Sequence, residues 1–140
     1  MPGNGAPSGQ ATPGLLHQPA ARAAGKVLHT IDAAATPASP LTDLARLTAV
    51  ARAAVRAGHG HVLGTNHVTF PNGAITLILI LAESHLSIHT WPEEQLIAID
   101  LFSCGAIDAS RVLSELVRQL GLDRVAVRAV PRGVPSAGLG

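Results

Sequence analysis

Residues 71–82 read PNGAITLILILA, a turn sequence followed by a long apolar run. Asn72-Gly73 favours a tight turn because both residue types tolerate positive φ. The flanking segments, 61–70 and 74–82, are rich in β-branched residues, so the pattern predicts two strands joined by a hairpin. Since every residue from 75 to 82 except Thr76 is apolar, we expect the second strand to be central and buried on both faces.

Signals on either side of this hairpin extend it into a larger sheet. Further strands are predicted at residues 27–32, 85–90, 95–102 and 124–130. Ser39 as N-cap, with Pro40 at the first helical position, predicts a helix that ends near Gly58. Asp108 predicts the start of a second helix, which Gly121 ends. The order β-α-β-β-β-β-α-β predicts an α+β two-layer sandwich: an antiparallel sheet with two helices on one face.

A chain of 140 residues is the size of one domain. Residues 1–24 and 131–140 are rich in Pro and Gly, and we expect them to be flexible tails around a domain at residues 25–130. A core of about a hundred residues is marginal alone, and this one has few large aromatic side chains. We therefore expect a homodimer in which the uncovered sheet faces meet, giving an αββα arrangement.

Composition excludes several classes of protein. A net charge of +1, with Lys and Arg scattered along the chain, gives no basis for binding nucleic acid or an anionic membrane. The single cysteine cannot form an internal disulfide, which favours a reducing compartment. The N-terminus lacks the apolar core of a secretory signal, and the apolar run of residues 75–82 is far shorter than the roughly twenty residues needed to span a bilayer. We expect a cytoplasmic protein.

One set of side chains points to self-cleavage of the backbone. Ser84 directly follows Glu83, His89 lies five residues beyond that serine, and Cys104 lies twenty beyond it. A serine hydroxyl can attack its own preceding carbonyl to form an ester. Removal of the serine Cα proton then splits the chain and leaves a residue that becomes a pyruvoyl group. Histidine suits the role of base at neutral pH, and Thr76 offers a hydroxyl for the intermediate.

Taken singly, these residues have common structural explanations. A lone cysteine is usually a small buried apolar residue, and threonine is favoured in strands. A Ser84/His89 hydrolase would lack nucleophile-elbow glycines, and a Cys104/His89 thiol protease would lack a helix N-terminus at the cysteine. Strand alternation would put the histidines at 59, 61 and 67 on one face, without any acidic or thiol partner nearby. We expect them to be solvated or at a dimer interface, with no metal site.

The set as a whole resembles a known family. Residues 82–93, AESHLSIHTWPE, together with residues 100–105, DLFSCG, are similar to the self-processing site of the small, pyruvoyl-dependent S-adenosylmethionine decarboxylase proenzymes of prokaryotes. Residues 70–73, FPNG, resemble the aromatic–Pro–Gly turn of that family. The resemblance covers roughly residues 25–130 and is most specific between 70 and 105.

The resemblance implies self-cleavage between residues 83 and 84 into a β chain, 1–83, and an α chain, 84–140. The covalent pyruvoyl cofactor would form a Schiff base with S-adenosylmethionine, and the decarboxylated product would donate its aminopropyl group in spermidine biosynthesis. The implied roles fall on Ser84 (nucleophile and pyruvoyl precursor), His89 (processing), Cys104 (proton donor and processing), Thr76 (hydroxyl), Phe70 and Trp91 (rings on either side of the adenine, one from each subunit) and Glu93 (ribose hydroxyls).

Two other functions remain open from the sequence. The first is the same pyruvoyl chemistry on another amino acid, such as ornithine or arginine, which would have no use for the rings of Phe70 and Trp91. The second is an unprocessed, non-catalytic homologue that acts as a binding or regulatory partner. Such a protein would have no reason to keep Ser84, His89 and Cys104 together.

Overall fold

The structure is a computed structural model that describes residues 25–135. Its elements are β1 (Lys26–Ala34), α1 (Leu44–Ala57), β2 (Val62–Thr69), β3 (Ile75–Leu81), β4 (Ser84–Trp91), a single 3₁₀ turn (Pro92–Glu94), β5 (Leu96–Cys104), α2 (Ala109–Leu120) and β6 (Asp123–Pro131). The predicted order of strands and helices is confirmed. The predicted tail at residues 1–24 lies outside the described residues.

The strands form one six-stranded sheet in the order β2-β3-β4-β5-β1-β6, and every neighbouring pair is antiparallel. Side chains alternate between its two faces. One face packs against α1 and α2 and forms the apolar core, which includes Leu47 of α1, Leu116 of α2 and Ile99 of β5. The predicted α+β class, with an antiparallel sheet and two helices, is confirmed.

The expectation that β3 is buried on both faces is wrong. Its side chains alternate, with Leu77 and Leu79 fully buried under the helices while Ile78 is 38% exposed and Ile80 is 51% exposed. The helices cover only one face of the sheet. The other face therefore presents apolar side chains to its surroundings in the single chain.

The predicted start of α1 is also wrong. Asp43, not Ser39, is the N-cap, and its Oδ1 accepts the N–H of Arg46 at 3.0 Å. Ser39 Oγ instead accepts the N–H of Thr36 at 2.9 Å and donates to the Gly121 carbonyl at 3.2 Å. The serine hydroxyl thus satisfies a carbonyl at the end of α2, a use that its own local sequence does not reveal.

The other predicted helix boundaries are confirmed. Asp108 caps α2 through its Oδ1, which accepts the Arg111 N–H at 3.1 Å, and Gly121 ends the helix in the left-handed region at φ 66°. Gly58 follows the last residue of α1. None of the helices in residues 25–135 is both long and apolar enough to cross a membrane.

The C-terminal strand extends further than expected. β6 runs through Pro131, and the N–H of Arg132 donates to the Lys26 carbonyl at 2.9 Å. The Arg132 guanidinium also lies 5.4 Å from the centre of the Phe102 ring, a cation–π distance. The segment 131–140 therefore begins as part of the sheet, and residues 136–140 lie outside the described residues.

Candidate active site

The backbone is unusual at the turn between β3 and β4. Only Ala82 and Glu83 connect the two strands, and Ser84 opens β4 as the pairing partner of Leu81. Ser84 has a φ of 139°, a value that L-residues rarely adopt. Such a conformation costs on the order of 1–3 kcal/mol and persists only where the surrounding structure imposes it. The bond between residues 83 and 84 is therefore part of a strained, tightly held turn.

The carbonyl of Glu83 is held by two donors of one residue. The backbone N–H of Cys104 donates to this oxygen at 3.0 Å, and Cys104 Sγ lies 3.6 Å from it. Pairing of Ser84 with Ser103 on β5 brings Cys104 to this place. Two donors on one carbonyl oxygen stabilise the negative charge that develops there when a nucleophile attacks the carbon.

The side chain of Glu83 is bound by His61, the residue directly before β2. The N–H of His61 donates to Glu83 Oε1 at 3.0 Å, and His61 Nδ1 lies 2.8 Å from Oε2. Partial burial raises the pKa of the Glu83 carboxyl, but the hydrogen bonds from His61 outweigh it and lower that pKa below its usual value. Sequence reasoning missed this pair. No local signal could have found it, because the contact depends on the position of β2 beside β3.

A second polar pair lies near the opposite end of the same two strands. Thr76 Oγ1 and His89 Nδ1 are 3.2 Å apart, and the two residues are direct antiparallel partners. Thr76 lies between the buried Ile75 and Leu77, so its side chain is on the uncovered face of the sheet. The ring centres of His89 and Trp91 are 6.2 Å apart.

The aromatic residues lie beside this pair. Phe70 is 46% exposed and Trp91 is 36% exposed. The Phe70 N–H donates to the Ala74 carbonyl at 2.8 Å, which places Phe70 across β3 from Trp91 by the same register that pairs Thr76 with His89. Two strand spacings put the two backbones about 10 Å apart. Each chain therefore carries both rings at the same end of the sheet.

Glu93 is oriented by the turn that follows Phe70. The side-chain nitrogen Nδ2 of Asn72 donates to Glu93 Oε1 at 3.2 Å, while Asn72 Oδ1 accepts the Ala74 N–H at 3.0 Å. Gly73 adopts a φ of 90°, and its N–H donates to the Phe70 carbonyl at 2.8 Å, so the chain turns at the predicted residues. Asn72 therefore connects the segment that carries Phe70 with the segment that carries Glu93.

A family model described as S-adenosylmethionine decarboxylase matches residues 28–133, which is most of the chain. The chain belongs to the S-adenosylmethionine decarboxylase family. The match includes every residue to which the sequence resemblance assigned a role.

Curated proteins named S-adenosylmethionine decarboxylase proenzyme are similar to the chain in sequence. The one from Prochlorococcus marinus (strain MIT 9313) is 42% identical over 91 residues, which are 64% of this chain and 72% of that protein. The one from Symbiobacterium thermophilum is 44% identical over 73 residues, which are 51% of this chain and 55% of that protein. The matched region thus spans more than half of each relative.

Among solved structures, the chain is similar to the crystal structure of the adenosylmethionine decarboxylase from Aquifex aeolicus VF5. The TM-score is 0.71 at 23% sequence identity, and the match covers 82% of this chain and 96% of that chain. At this identity the likeness supports the fold, which agrees with the two-layer architecture described above.

The residues singled out in this family member form two groups. The cleavage end comprises His61, Glu83, Ser84 and Cys104. The aromatic end comprises Phe70, Thr76, His89, Trp91 and Glu93. His89 lies five positions after Ser84 on β4, which at about 3.3 Å per residue is roughly 16 Å. A single chain therefore does not bring all the predicted residues into one site.

Metal ligation does not explain either group. Within residues 25–135, no three His, Cys, Asp or Glu side chains lie close enough to hold a metal ion. His61, one of three histidines considered together in the sequence, contacts Glu83 instead. His59 precedes β2 with a φ of 66°, so strand alternation does not align it with the others.

Proposed function

We propose that this chain is a self-processing, pyruvoyl-dependent decarboxylase of S-adenosylmethionine that supplies the aminopropyl donor for spermidine biosynthesis. The observation that carries the proposal is the carbonyl of Glu83, which accepts from the N–H of Cys104 and lies within reach of its thiol, directly before the strained Ser84. This arrangement suits attack of a serine hydroxyl on the preceding peptide bond.

The bonds that form and break in the proposed cleavage all belong to one chain. Ser84 Oγ attacks the Glu83 carbonyl carbon, and the bond from that carbon to the Ser84 nitrogen breaks to leave an ester. Cys104 stabilises the charge on the oxygen during this step. A base then takes the Ser84 Cα proton. The electron pair breaks the bond from Ser84 Cβ to the ester oxygen, and the upstream chain leaves with a new C-terminal carboxylate at residue 83. The dehydroalanine that remains takes up water, loses ammonia and becomes the pyruvoyl group at residue 84.

The surroundings of residue 84 fit such a group. The cut frees the Glu83 carbonyl, so the exposed thiol of Cys104 becomes available beside the new N-terminus of β4. A pyruvoyl group supplies an electron sink for an amine-bearing substrate that loses CO₂. The Cys104 thiol serves as the proton donor to the substrate carbon from which CO₂ has left.

The aromatic end suits the nucleoside of the substrate. Phe70 and Trp91 are exposed rings on one face of the sheet, suited to stacking on either side of a purine, with one ring from each subunit as the resemblance implies. Glu93, already oriented by Asn72, accepts hydrogen bonds from the ribose hydroxyls. Ornithine or arginine would leave these groups without a partner, which is why we prefer the adenosyl substrate.

The separation of the two ends supports a homodimer. A twofold axis through the uncovered sheet face would place the aromatic end of one protomer opposite the cleavage end of its partner. On the uncovered face of the sheet, the apolar side chains of Ile78, Ile80 and Val130 are exposed in the single chain. Their burial would stabilise an αββα dimer with two sites, each built from both protomers.

Intact mass under denaturing conditions tests the proposal. Two fragments that divide between residues 83 and 84, the smaller with a pyruvoyl N-terminus, are expected from the purified wild-type chain. A single uncut chain that is stable for days at neutral pH would contradict the proposal and favour a non-catalytic binding or regulatory role. The variant Ser84→Ala, which lacks the nucleophile, is the uncut control.

A further inference from the structure

The Ala82–Glu83 turn is attached to the start of β2 through one residue, His61. The Ala82 N–H donates to the His61 carbonyl at 2.9 Å. Both carboxylate oxygens of Glu83 contact His61, one at the backbone N–H and one at ring nitrogen Nδ1. The His61 side chain is 73% exposed and that of Glu83 only 14%. The His61 ring therefore lies outside the core, and its contribution to the turn is the contact with Glu83.

The same glutamate is held from the other side through its carbonyl. Cys104, at the end of β5, donates its N–H to that oxygen at 3.0 Å. The side chain and the carbonyl carbon of Glu83 are both bonded to its Cα atom. His61, directly before β2, holds the Glu83 side chain, and Cys104 on β5 holds the Glu83 carbonyl. The peptide plane between residues 83 and 84 therefore has little freedom to rotate.

We propose that His61 is a positioning residue for backbone cleavage: by binding the Glu83 carboxylate, it fixes the carbonyl that Ser84 attacks. The inference rests on the proposed self-cleavage and assigns a role to a residue that touches neither reacting atom. Attack requires the hydroxyl oxygen about 3–3.5 Å from the carbonyl carbon, and a misplacement of about 1 Å costs on the order of 100-fold in rate.

The rate of cleavage in cell-free translation tests this role. Full-length chain is translated, samples are stopped with denaturant at intervals, and the cut fraction is read by intact mass. The variants are His61→Ala, His61→Asn, Glu83→Gln and the double variant of His61→Ala with Glu83→Gln. The control is His67→Ala, because His67 is an exposed histidine on β2, the strand that His61 directly precedes, and it pairs with Leu77.

We expect His61→Ala to slow cleavage roughly 10- to 100-fold. The backbone N–H remains in every variant, so the difference measures the ring alone. His61→Asn should recover most of the rate, since its amide nitrogen can take the place of Nδ1. His61→Ala should add little in the Glu83→Gln background, because the two residues act as a pair. His67→Ala should match the wild type.

Three results would overturn the role of His61. Equal rates for the wild type and His61→Ala would refute it while leaving self-cleavage established. Equal slowing by His61→Ala and His61→Asn would refute the hydrogen bond. Slowing that parallels a loss of folded protein, measured by thermal unfolding in the Ser84→Ala background, would show a structural effect only. Absence of cleavage in the wild type and in His67→Ala would instead contradict the proposed function, and the inference with it.

Discussion

The cleavage end and the aromatic end lie on the same sheet but are built differently. At the cleavage end, Glu83 is held through its side chain by His61 and through its carbonyl by β5, and Ser84 is strained. At the aromatic end, Phe70 and Trp91 are substantially exposed, and the polar contact to Glu93 is a single hydrogen bond. The first group is preorganised within one chain, whereas the rings of the second are exposed in the single chain.

Under the proposed function, this difference predicts which step requires a second protomer. Attack on the Glu83 carbonyl draws on groups that one chain already holds in place. His89 lies roughly 16 Å from Ser84 along β4, and Thr76 is its pairing partner on β3. These two residues would serve the proposed cleavage only if they came from another copy. The four predictions below test this division, beginning with the largest effect.

The first prediction concerns complementation between protomers. Ser84→Ala chains and His89→Ala chains should each remain uncut alone. When the two are co-expressed with different tags, the His89→Ala chain should be cut, because its Ser84 faces the intact His89 of a Ser84→Ala partner. Intact mass of each tagged chain measures the result.

The control for complementation is co-expression of two differently tagged Ser84→Ala chains, which should stay uncut. If the mixed pair also stays uncut although the tags co-purify, His89 acts within its own chain. The proposed two-protomer site would then be wrong.

The second prediction concerns the thiol of Cys104. Cys104→Ala removes Sγ but keeps the N–H that binds the Glu83 carbonyl, so cleavage should slow by roughly 10- to 100-fold. Cys104→Ser, which retains a donor, should lie between this variant and the wild type. Time courses of fragment formation measure both rates. An unchanged rate in Cys104→Ala would show that the backbone N–H alone supports processing.

The third prediction concerns substrate binding at the aromatic end. Asn72→Ser keeps an oxygen acceptor for the Ala74 N–H but cannot reach Glu93, so Glu93 loses its orientation. Loss of about 1 kcal/mol of such bonding should raise KM for S-adenosylmethionine by roughly fivefold with little change in kcat. Steady-state CO₂ release measures both constants. A fall in kcat at constant KM would place Asn72 in the chemistry rather than in binding.

The fourth prediction concerns the pH dependence of stability at the cleavage end. The hydrogen bonds from His61 lower the pKa of Glu83 below 4.5, its usual value. The stabilisation is therefore fully present above that unfolded value and is lost as the pH falls through the lower, folded value. In the uncut Ser84→Ala background, adding Glu83→Gln should lower Tm at pH 7 by a few degrees, about 1 kcal/mol.

The same comparison at acid pH is the control for that effect. At a pH below the folded pKa of Glu83, the parent and Glu83→Gln should have nearly equal Tm values. Thermal unfolding followed by circular dichroism from pH 3 to pH 7 measures the difference. A difference that does not change with pH would show that the charge on Glu83 contributes nothing.

Local signals predicted the parts of the fold that depend on local chemistry. The Asn-Gly turn at 72–73, the Asp108 cap and the Gly121 stop were predicted because each requirement lies within a few residues of sequence. The Ser39 cap was not predicted correctly, because its hydroxyl binds the Gly121 carbonyl, 82 positions away. The exposure of Ile80 was missed because an apolar strand does not reveal how many of its faces are covered.

The candidate site also depends on contacts between distant parts of the chain that local sequence does not reveal. The spacing of Ser84, His89 and Cys104 supported the family resemblance, but spacing in sequence did not place them together. Ser84 and Cys104 do lie close, because β4 and β5 are antiparallel neighbours. His89 lies farther along the same strand and cannot fold back to Ser84. Contacts between strands from different parts of the chain, such as His61 with Glu83, required the register itself.

The strand order has a consequence for the chain after it is cut. A break between residues 83 and 84 leaves β1, α1, β2 and β3 on one fragment and β4, β5, α2 and β6 on the other. In the sheet, β1 lies between β5 and β6, so a strand of the first fragment is inserted between two strands of the second. The fragments are interleaved and cannot separate without dismantling the sheet. Once unfolded, they must find each other in solution, so refolding becomes a second-order reaction that depends on protein concentration.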